Sequence, residues 1–201
     1  MKPKRNSKAT SPDEAGEGAL RLAPATKRDL DVWRAMREDL YSGVDAAFNE
    51  FEMALILDSS DRACLLVRAP NDEAVGFIEV TLRNVVDGCL GGPVGYIEGI
   101  YLVPSWRGLG LGPGMIEAVS EWFRVQGCRD MATDAEMDNP EAQQFWSDLG
   151  FEETWRIVQY RKSLGRGETA EATPRPKRAS PRPAKAKKTS KRAPKKARRR
   201  R

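Results

Sequence analysis

The 201-residue chain contains no histidine. That removes Ser-His and Cys-His nucleophile systems, and with them most zinc sites. Cysteine is scarce: Cys64, Cys89 and Cys128 stand far apart, without the close pairing that metal sites use. A sparse, odd set of thiols fits a reducing, cytoplasmic setting rather than a disulfide framework. No apolar run approaches the ~20 residues that span a bilayer. The basic start Met1-Lys2-Pro3-Lys4-Arg5 is not followed by an apolar core, so neither a secretory signal nor a membrane anchor is expected. Beyond Tyr160 there is no aromatic residue, which excludes base stacking by the end of the chain.

What is present is unevenly spread. Residues 165–201 carry sixteen Lys or Arg against two acids, a net +14. The whole chain is only +5, so residues 1–164 hold 18 basic and 27 acidic side chains, a net −9. An acidic body is tied to a basic tail, and the overall charge describes neither. Residues 1–19, rich in Lys, Ser, Pro, Gly and Glu, are expected to be a disordered extension. Residues 165–201, built from Pro-Arg, Pro-Lys and Ala-Lys units, are expected to be a disordered basic tail. The tail's composition suits nucleic-acid contact by counterion release; a solubilising appendage resting on its own acidic body is the alternative. Residues 20–164 are left as one domain, within the usual range of about 100–150 residues.

Within that domain the pattern alternates. A strand is expected at Ala19–Pro24, and Thr26 with Asp29 reads as a capping box ahead of a helix carrying Leu30, Trp33, Met36, Arg37 and Leu40. A second helix spans Asp45–Leu57. Strands Ala63–Arg68 and Ala74–Leu82 flank a turn at Pro70-Asn71-Asp72-Glu73. After a glycine-containing loop, Val94–Val103 reads as a strand apolar on both faces except for Glu98. Leu109–Gln126 is a helix stopped by Gly127, Arg129–Thr133 a short strand, Asn139–Leu149 a helix ended by Gly150, and Phe151–Lys162 a final strand. The fold class is α/β, a mixed central sheet flanked by helices. Trp33, Trp106, Trp122 and Trp155 read as packing residues.

The chemistry concentrates after the Val94–Val103 strand. Arg107-Gly108-Leu109-Gly110-Leu111-Gly112 turns from a strand into a helix, where clustered N–H groups and the helix dipole suit a phosphate or pyrophosphate. A Rossmann fingerprint and a Walker loop have other spacings and contexts, and neither fits. Glu98, the lone acid in its strand, is a candidate proton acceptor; a carboxylate paired with Arg, or exposed at a sheet bulge, is the structural alternative. Asp134 lies in an acidic run with Asp130, Glu136 and Asp138. It suits a polycation, or is simply part of a solvated loop.

The loop Arg107–Gly112 resembles the R-x-x-G-x-G/A pyrophosphate loop of the GNAT acetyltransferases. Asn139-Pro140-Glu141-Ala142 followed by Leu149-Gly150-Phe151 resembles their N-x-x-A…L-G-F segment. The resemblance covers residues 20–164. Tyr96–Pro104 is similar to the E-G-[IW]-[YF]-V-x-P strand of the aminoglycoside 6′-N-acetyltransferase branch. Gly127–Asp134 is similar to that branch's G-C-x-E-x-A-S-D strand, and Leu149–Thr154 with Tyr160-Arg161-Lys162 to its ending.

The resemblance implies acetyl-CoA as cosubstrate, no metal, a cationic aminoglycoside as substrate and a homodimer. It assigns backbone groups of Ile100, Tyr101 and Leu102 to the pantetheine arm. Arg107, Gly108, Leu109, Gly110, Leu111 and Gly112 go to the pyrophosphate, and Asn139 to the cofactor. Tyr41, Glu98 and Asp134 go to the substrate site, with Glu98 also the catalytic base. Tyr41 falls where the branch usually has Trp; it suits stacking on a sugar ring, or capping of the core.

Three positions depart from the pattern. Trp146 stands where many relatives carry a Tyr or His that protonates the leaving thiolate. Val85 replaces a common aromatic, and Trp155 an acid. Acetylation of a polyamine or a protein lysine, or a nucleic-acid-binding role for a GNAT scaffold, are the competing functions.

Overall fold

The computed structural model describes residues 20–89, 91–162 and 164. The expected disordered extensions, and with them the basic tail and its nucleic-acid reading, lie outside the described residues. Strand β1 (Arg21–Pro24) leads into the Thr26 cap. The capping box forms as the sequence implies: Thr26 and Asp29 bond reciprocally around a single 3₁₀ turn, Lys27–Asp29. Helix α1 (Leu30–Leu40) follows directly. Helix α2 (Ala46–Asp58) is capped by Asp45, whose carboxylate accepts from the amides of Ala47 and Phe48.

Strands β2 (Arg62–Arg68), β3 (Ala74–Arg83) and β4 (Val94–Leu102) then form an antiparallel meander. The expected turn at 70–73 places Asp72 at φ 71°. Helix α3 (Gly112–Val125), strand β5 (Met131–Thr133) and helix α4 (Pro140–Asp148) complete the described elements. The sheet order is β1-β2-β3-β4-β5, with β5 parallel to β4 and every other pair antiparallel. The mixed α/β sheet expected from the sequence is therefore what forms.

Strand alternation divides the core in two. Leu65, Val67, Ile78, Val80 and Ile97 meet Met115, Val119 and Phe123 of α3 and Trp146 of α4 on one face. Cys64, Leu66, Phe77 and Tyr101 meet Trp33, Met36 and Leu40 of α1 and Met53 of α2 on the other. No helix among the described residues is long and apolar enough to cross a membrane.

Three expectations need correction. The helix expected from Leu109 begins at Gly112, because Gly108 and Gly110 adopt φ of +74° and +73°, outside the helical region. The strand expected from Arg129 begins at Met131. The strand expected at Phe151–Lys162 does not form: those residues pair with no ladder. Its β-branched and aromatic composition favours a strand, but propensity cannot supply a partner edge. Trp155, expected to pack, is accordingly 68 % exposed, while Trp33 and Trp106 are buried as expected.

Candidate active site

The site is organised by an irregularity in β4. Val80 pairs with Ile97 and Glu79 with Gly99, so Glu98 is the extra residue of a β-bulge. A bulge bends the strand and re-aims a side chain. Beyond it β4 leaves β5 as well: the parallel register runs only from Gly95↔Met131 to Ile97↔Thr133, and the Thr133 hydroxyl closes it by donating to the Ile97 carbonyl. Ile100, Tyr101 and Leu102 therefore pair with β3 on one side and have no β5 register on the other. Beyond Ile97 that edge of β4 has no ladder among the described residues, and Glu98 stands where this open edge begins.

The glycine loop follows β4 through the 3₁₀ turn Pro104–Trp106. Gly108 and Gly110 need their positive φ, and a Cβ added at either would meet nothing within 4 Å, so the loop faces open space. Helix α3 starts at Leu111–Gly112 without any side-chain cap, leaving its first amides to an outside acceptor. Gly112 is small for a different reason: a Cβ there would stand 2.7 Å from the Phe145 ring. Arg107 does not face the loop. Its Nε donates to the Leu102 carbonyl at 2.6 Å, and its guanidinium lies 4.9 Å from the Tyr101 ring centre. The Tyr101 ring itself belongs to the α1 face, stacked on Phe77, with its hydroxyl donating to Asp39 at 2.9 Å. Burial, then the Asp39 bond, pushes that phenol up to about 12.

The three expected substrate residues surround the bulge. Tyr41 ends α1 against Gly99: a Cβ on Gly99 would come within 2.1 Å of the Tyr41 hydroxyl. Only glycine at 99 lets the ring approach. That hydroxyl donates to Glu79 Oε2 at 3.2 Å. On the other side, Asp134 accepts from the Tyr96 hydroxyl at 2.8 Å. Burial first, then this bond, pushes the Tyr96 phenol well above its ordinary value. Glu98 is reached by Arg83, the last residue of β3, whose Nη2 donates to Glu98 Oε1 at 2.7 Å. The same guanidinium lies 3.3 Å over the Tyr96 ring centre. Tyr41, Glu98 and Asp134 are thus brought to one place, and the Arg pairing weighed as the structural alternative for Glu98 is present as well.

Sequence reasoning missed Arg83, Tyr96 and Glu79. Tyr96 and Glu98 have the two-residue spacing of one strand face, which points to Tyr96 as a neighbour of Glu98; Arg83 and Glu79 come from another strand and carried no local signal. Asn139, expected as the first residue of a helix, stands just before α4 as its cap, its Oδ1 accepting from the Ala142 amide. Trp146 is buried, edge-on to Phe145 and Phe151. Val85 is exposed. A cavity of about 290 Å³ between α1 and α2, with Leu30, Arg34, Glu50 and Met53 in its lining, shares no residue with this set.

The Acetyltransferase (GNAT) family model matches residues 31–151, which include the β4 bulge, the loop and the α4 cap. The chain belongs to the GNAT acetyltransferase family. Among curated relatives of this GNAT protein, the aminoglycoside N(6′)-acetyltransferase type 1 of Stenotrophomonas maltophilia is 37% identical over 144 residues, 71% of this chain and 93% of the relative. The Serratia marcescens enzyme of the same name is 38% identical over 138 residues, 68% of this chain and 94% of the relative. Among solved structures, AAC(6′)-Iy in complex with the bisubstrate analogue CoA-S-monomethyl-acetylneamine aligns with a TM-score of 0.68 at 33% identity, covering 73% of this chain and all of that one.

Proposed function

We propose that this GNAT protein is an acetyl-CoA-dependent aminoglycoside 6′-N-acetyltransferase, in which the 6′-amine attacks the thioester directly and the antibiotic is thereby inactivated. The observation that carries the reading is Glu98 on the β4 bulge, between the open β4 edge that leads to the glycine loop and the Tyr96–Asp134 pair. Bound acetyl-CoA supplies an activated acetyl thioester. The residues present fit it: Ile100–Leu102 offer backbone groups along the open β4 edge, and the 108–112 loop with the uncapped start of α3 offers amides to a pyrophosphate. Arg107, held at the Leu102 carbonyl, would act at the pantetheine arm rather than at the phosphates. Asn139 would serve the cofactor by fixing the start of α4.

The substrate amine is mostly protonated near neutral pH, and only its neutral form has a lone pair to give. Glu98 holds the ammonium and accepts its proton, directly or through a water. Tyr41, set against Gly99, packs on the sugar, and Asp134 takes a second ammonium. Residues 1–164 carry a net −9, which draws a polycation in over distance and weakens as salt is added. Trp146 is walled in by aromatic rings and offers no acid at that position, so no side chain of this site is assigned to protonate the thiolate.

Turnover of acetyl-CoA by the purified full chain tests the reading. Kanamycin and tobramycin should be acetylated, with spermidine and lysine peptides at least tenfold slower in kcat/KM. Preference for the polyamine or the peptide would reassign the substrate, and no turnover with any amine would remove the enzymatic reading.

We place the enzyme in the cytoplasm, in keeping with its three free cysteines, and as a homodimer. The dimer is supported by the 151–162 segment, which has no ladder of its own yet exposes Trp155, Ile157, Val158 and Tyr160. Sedimentation equilibrium should give twice the chain mass, and Trp155→Asp with Val158→Asp should give the monomer. A monomeric wild type would end the dimer reading.

A further inference from the structure

Glu98, Asp134 and the face of Tyr96 make a box for a cation. A ring face attracts a cation, most strongly when water is partly excluded, and the Tyr96 ring is held in place by its bond to Asp134. A substrate ammonium would be drawn to the same surroundings. In this structure a cation from the chain itself stands there. The Arg83 guanidinium carbon lies 3.3 Å from the Tyr96 ring centre, and its Nη2 bonds Glu98 at 2.7 Å. The two side chains are 38 % and 35 % exposed, so the pair is open to exchange and weakly held rather than sealed into the core.

We propose that Arg83 is a specificity-determining residue that acts as a resident competitor: its guanidinium occupies the ammonium position on Glu98 and must swing away before the substrate amine can sit there. The proposal rests on Glu98 receiving the amine, as in the reading above. Three consequences follow from this geometry. Arg83 masks Glu98 until a ligand of sufficient charge arrives, so a polycation displaces it more readily than a monoamine. It lowers affinity for every cationic substrate by the strength of the Arg83–Glu98 pair. Because it ends β3 and is partly exposed, removing it should leave the core unaltered.

Tobramycin binding by the full-length protein, measured by calorimetry in the presence of coenzyme A, tests this with Arg83→Met, which keeps the stem, and Arg83→Lys, which keeps a cation. Arg83→Met should bind three- to fivefold more tightly and with a steeper salt dependence, while Arg83→Lys stays within twofold of wild type. The gain should vanish in an Arg83→Met/Glu98→Gln double variant, because the competition is for the Glu98 charge. Unchanged or weaker binding by Arg83→Met overturns the proposal, as does a gain that survives in the double variant. Binding and turnover separate this inference from the one beneath it. Tightened binding without acetyl transfer by the wild type would discard the enzymatic function and keep the competitor, whereas wild-type transfer with unaltered Arg83→Met binding would do the reverse.

Discussion

Glu98→Ala should lower kcat for acetyl transfer to kanamycin at least tenfold while leaving the circular dichroism spectrum and the melting temperature close to wild type. The size follows from what the residue is asked to do. A positioned general base is worth roughly 10²–10⁴-fold; water standing in for the lost carboxylate recovers part of that, so tenfold is the floor. The fold is insensitive because Glu98 is the extra residue of the bulge, partly exposed, and contributes no side chain to either core cluster. Two further variants divide its roles. Glu98→Gln keeps shape and hydrogen bonding but cannot accept a proton; its loss should fall mainly on kcat. Glu98→Ala also loses the ammonium contact, so its KM should rise as well. Raising the pH supplies neutral amine from solution, and both variants should recover relative to wild type between pH 7 and pH 9. Near-normal turnover by Glu98→Ala would remove the residue from the mechanism, and a flat ratio across that pH range would reduce it to a binding contact.

Much of this site could be read from the chain because its parts are local in sequence. The glycines at 108, 110 and 112, the acid at 98 and the cap at Thr26 each declare themselves within a few residues. What the sequence hides is pairing. Whether Glu98 is free or matched to an arginine depends on Arg83, fifteen residues back across a β-bulge that no composition rule locates. Apolar periodicity through Leu109 and Leu111 puts the start of α3 three residues early, while the positive φ at Gly108 and Gly110 delays the helix to Gly112. The absent strand at 151–162 is the same lesson from the other side: its residues have the right composition, but a strand is defined by a neighbour, and composition does not name one. Tyr41 reads from the sequence as a substrate contact or a core cap; its hydroxyl bonds buried Glu79, as a cap does, and its ring lies at Gly99 beside the bulge, where the substrate contact is proposed.

That buried carboxylate sets the second large effect: Arg37→Met should cost about 3–5 kcal/mol of stability. Arg37 and Glu79 are both buried, and their side chains meet at 2.6 Å between α1 and β3. Arg37 also donates to Asn49 Oδ1 at 2.5 Å and to Glu52 at 2.6 Å, which ties α2 to the same point. Trp33 Nε1 donates to Glu79 at 2.8 Å, and Tyr41 adds its hydroxyl. Methionine fills the space of the arginine stem but leaves Glu79 charged and without its counterion in the interior. For a domain of this size each kcal/mol moves the melting temperature by about 3 °C, so the shift should be about 9–15 °C. The double variant Arg37→Met/Glu79→Leu should regain only part of it: the unpaired carboxylate is gone, but buried Trp33 Nε1 and Asn49 lose their partners.

The pH dependence carries its own sign. Burial holds the Glu79 carboxyl above its ordinary value, although Arg37, Trp33 and Tyr41 all pull the other way. The folded state therefore binds this proton more tightly than the unfolded chain does. The associated stability is fully present below the unfolded value near 4.5 and is lost as pH rises through the folded one. Removing Arg37 takes away the largest opposing influence and drives the folded value higher still. The stability deficit of Arg37→Met should consequently be small near pH 5, where the variant can protonate Glu79, and full at pH 8, where it must bury the charge. Denaturant titrations of wild type and variant at the two pH values measure this difference directly. Equal deficits at both would mean that the loss comes from packing rather than from an unpaired carboxylate.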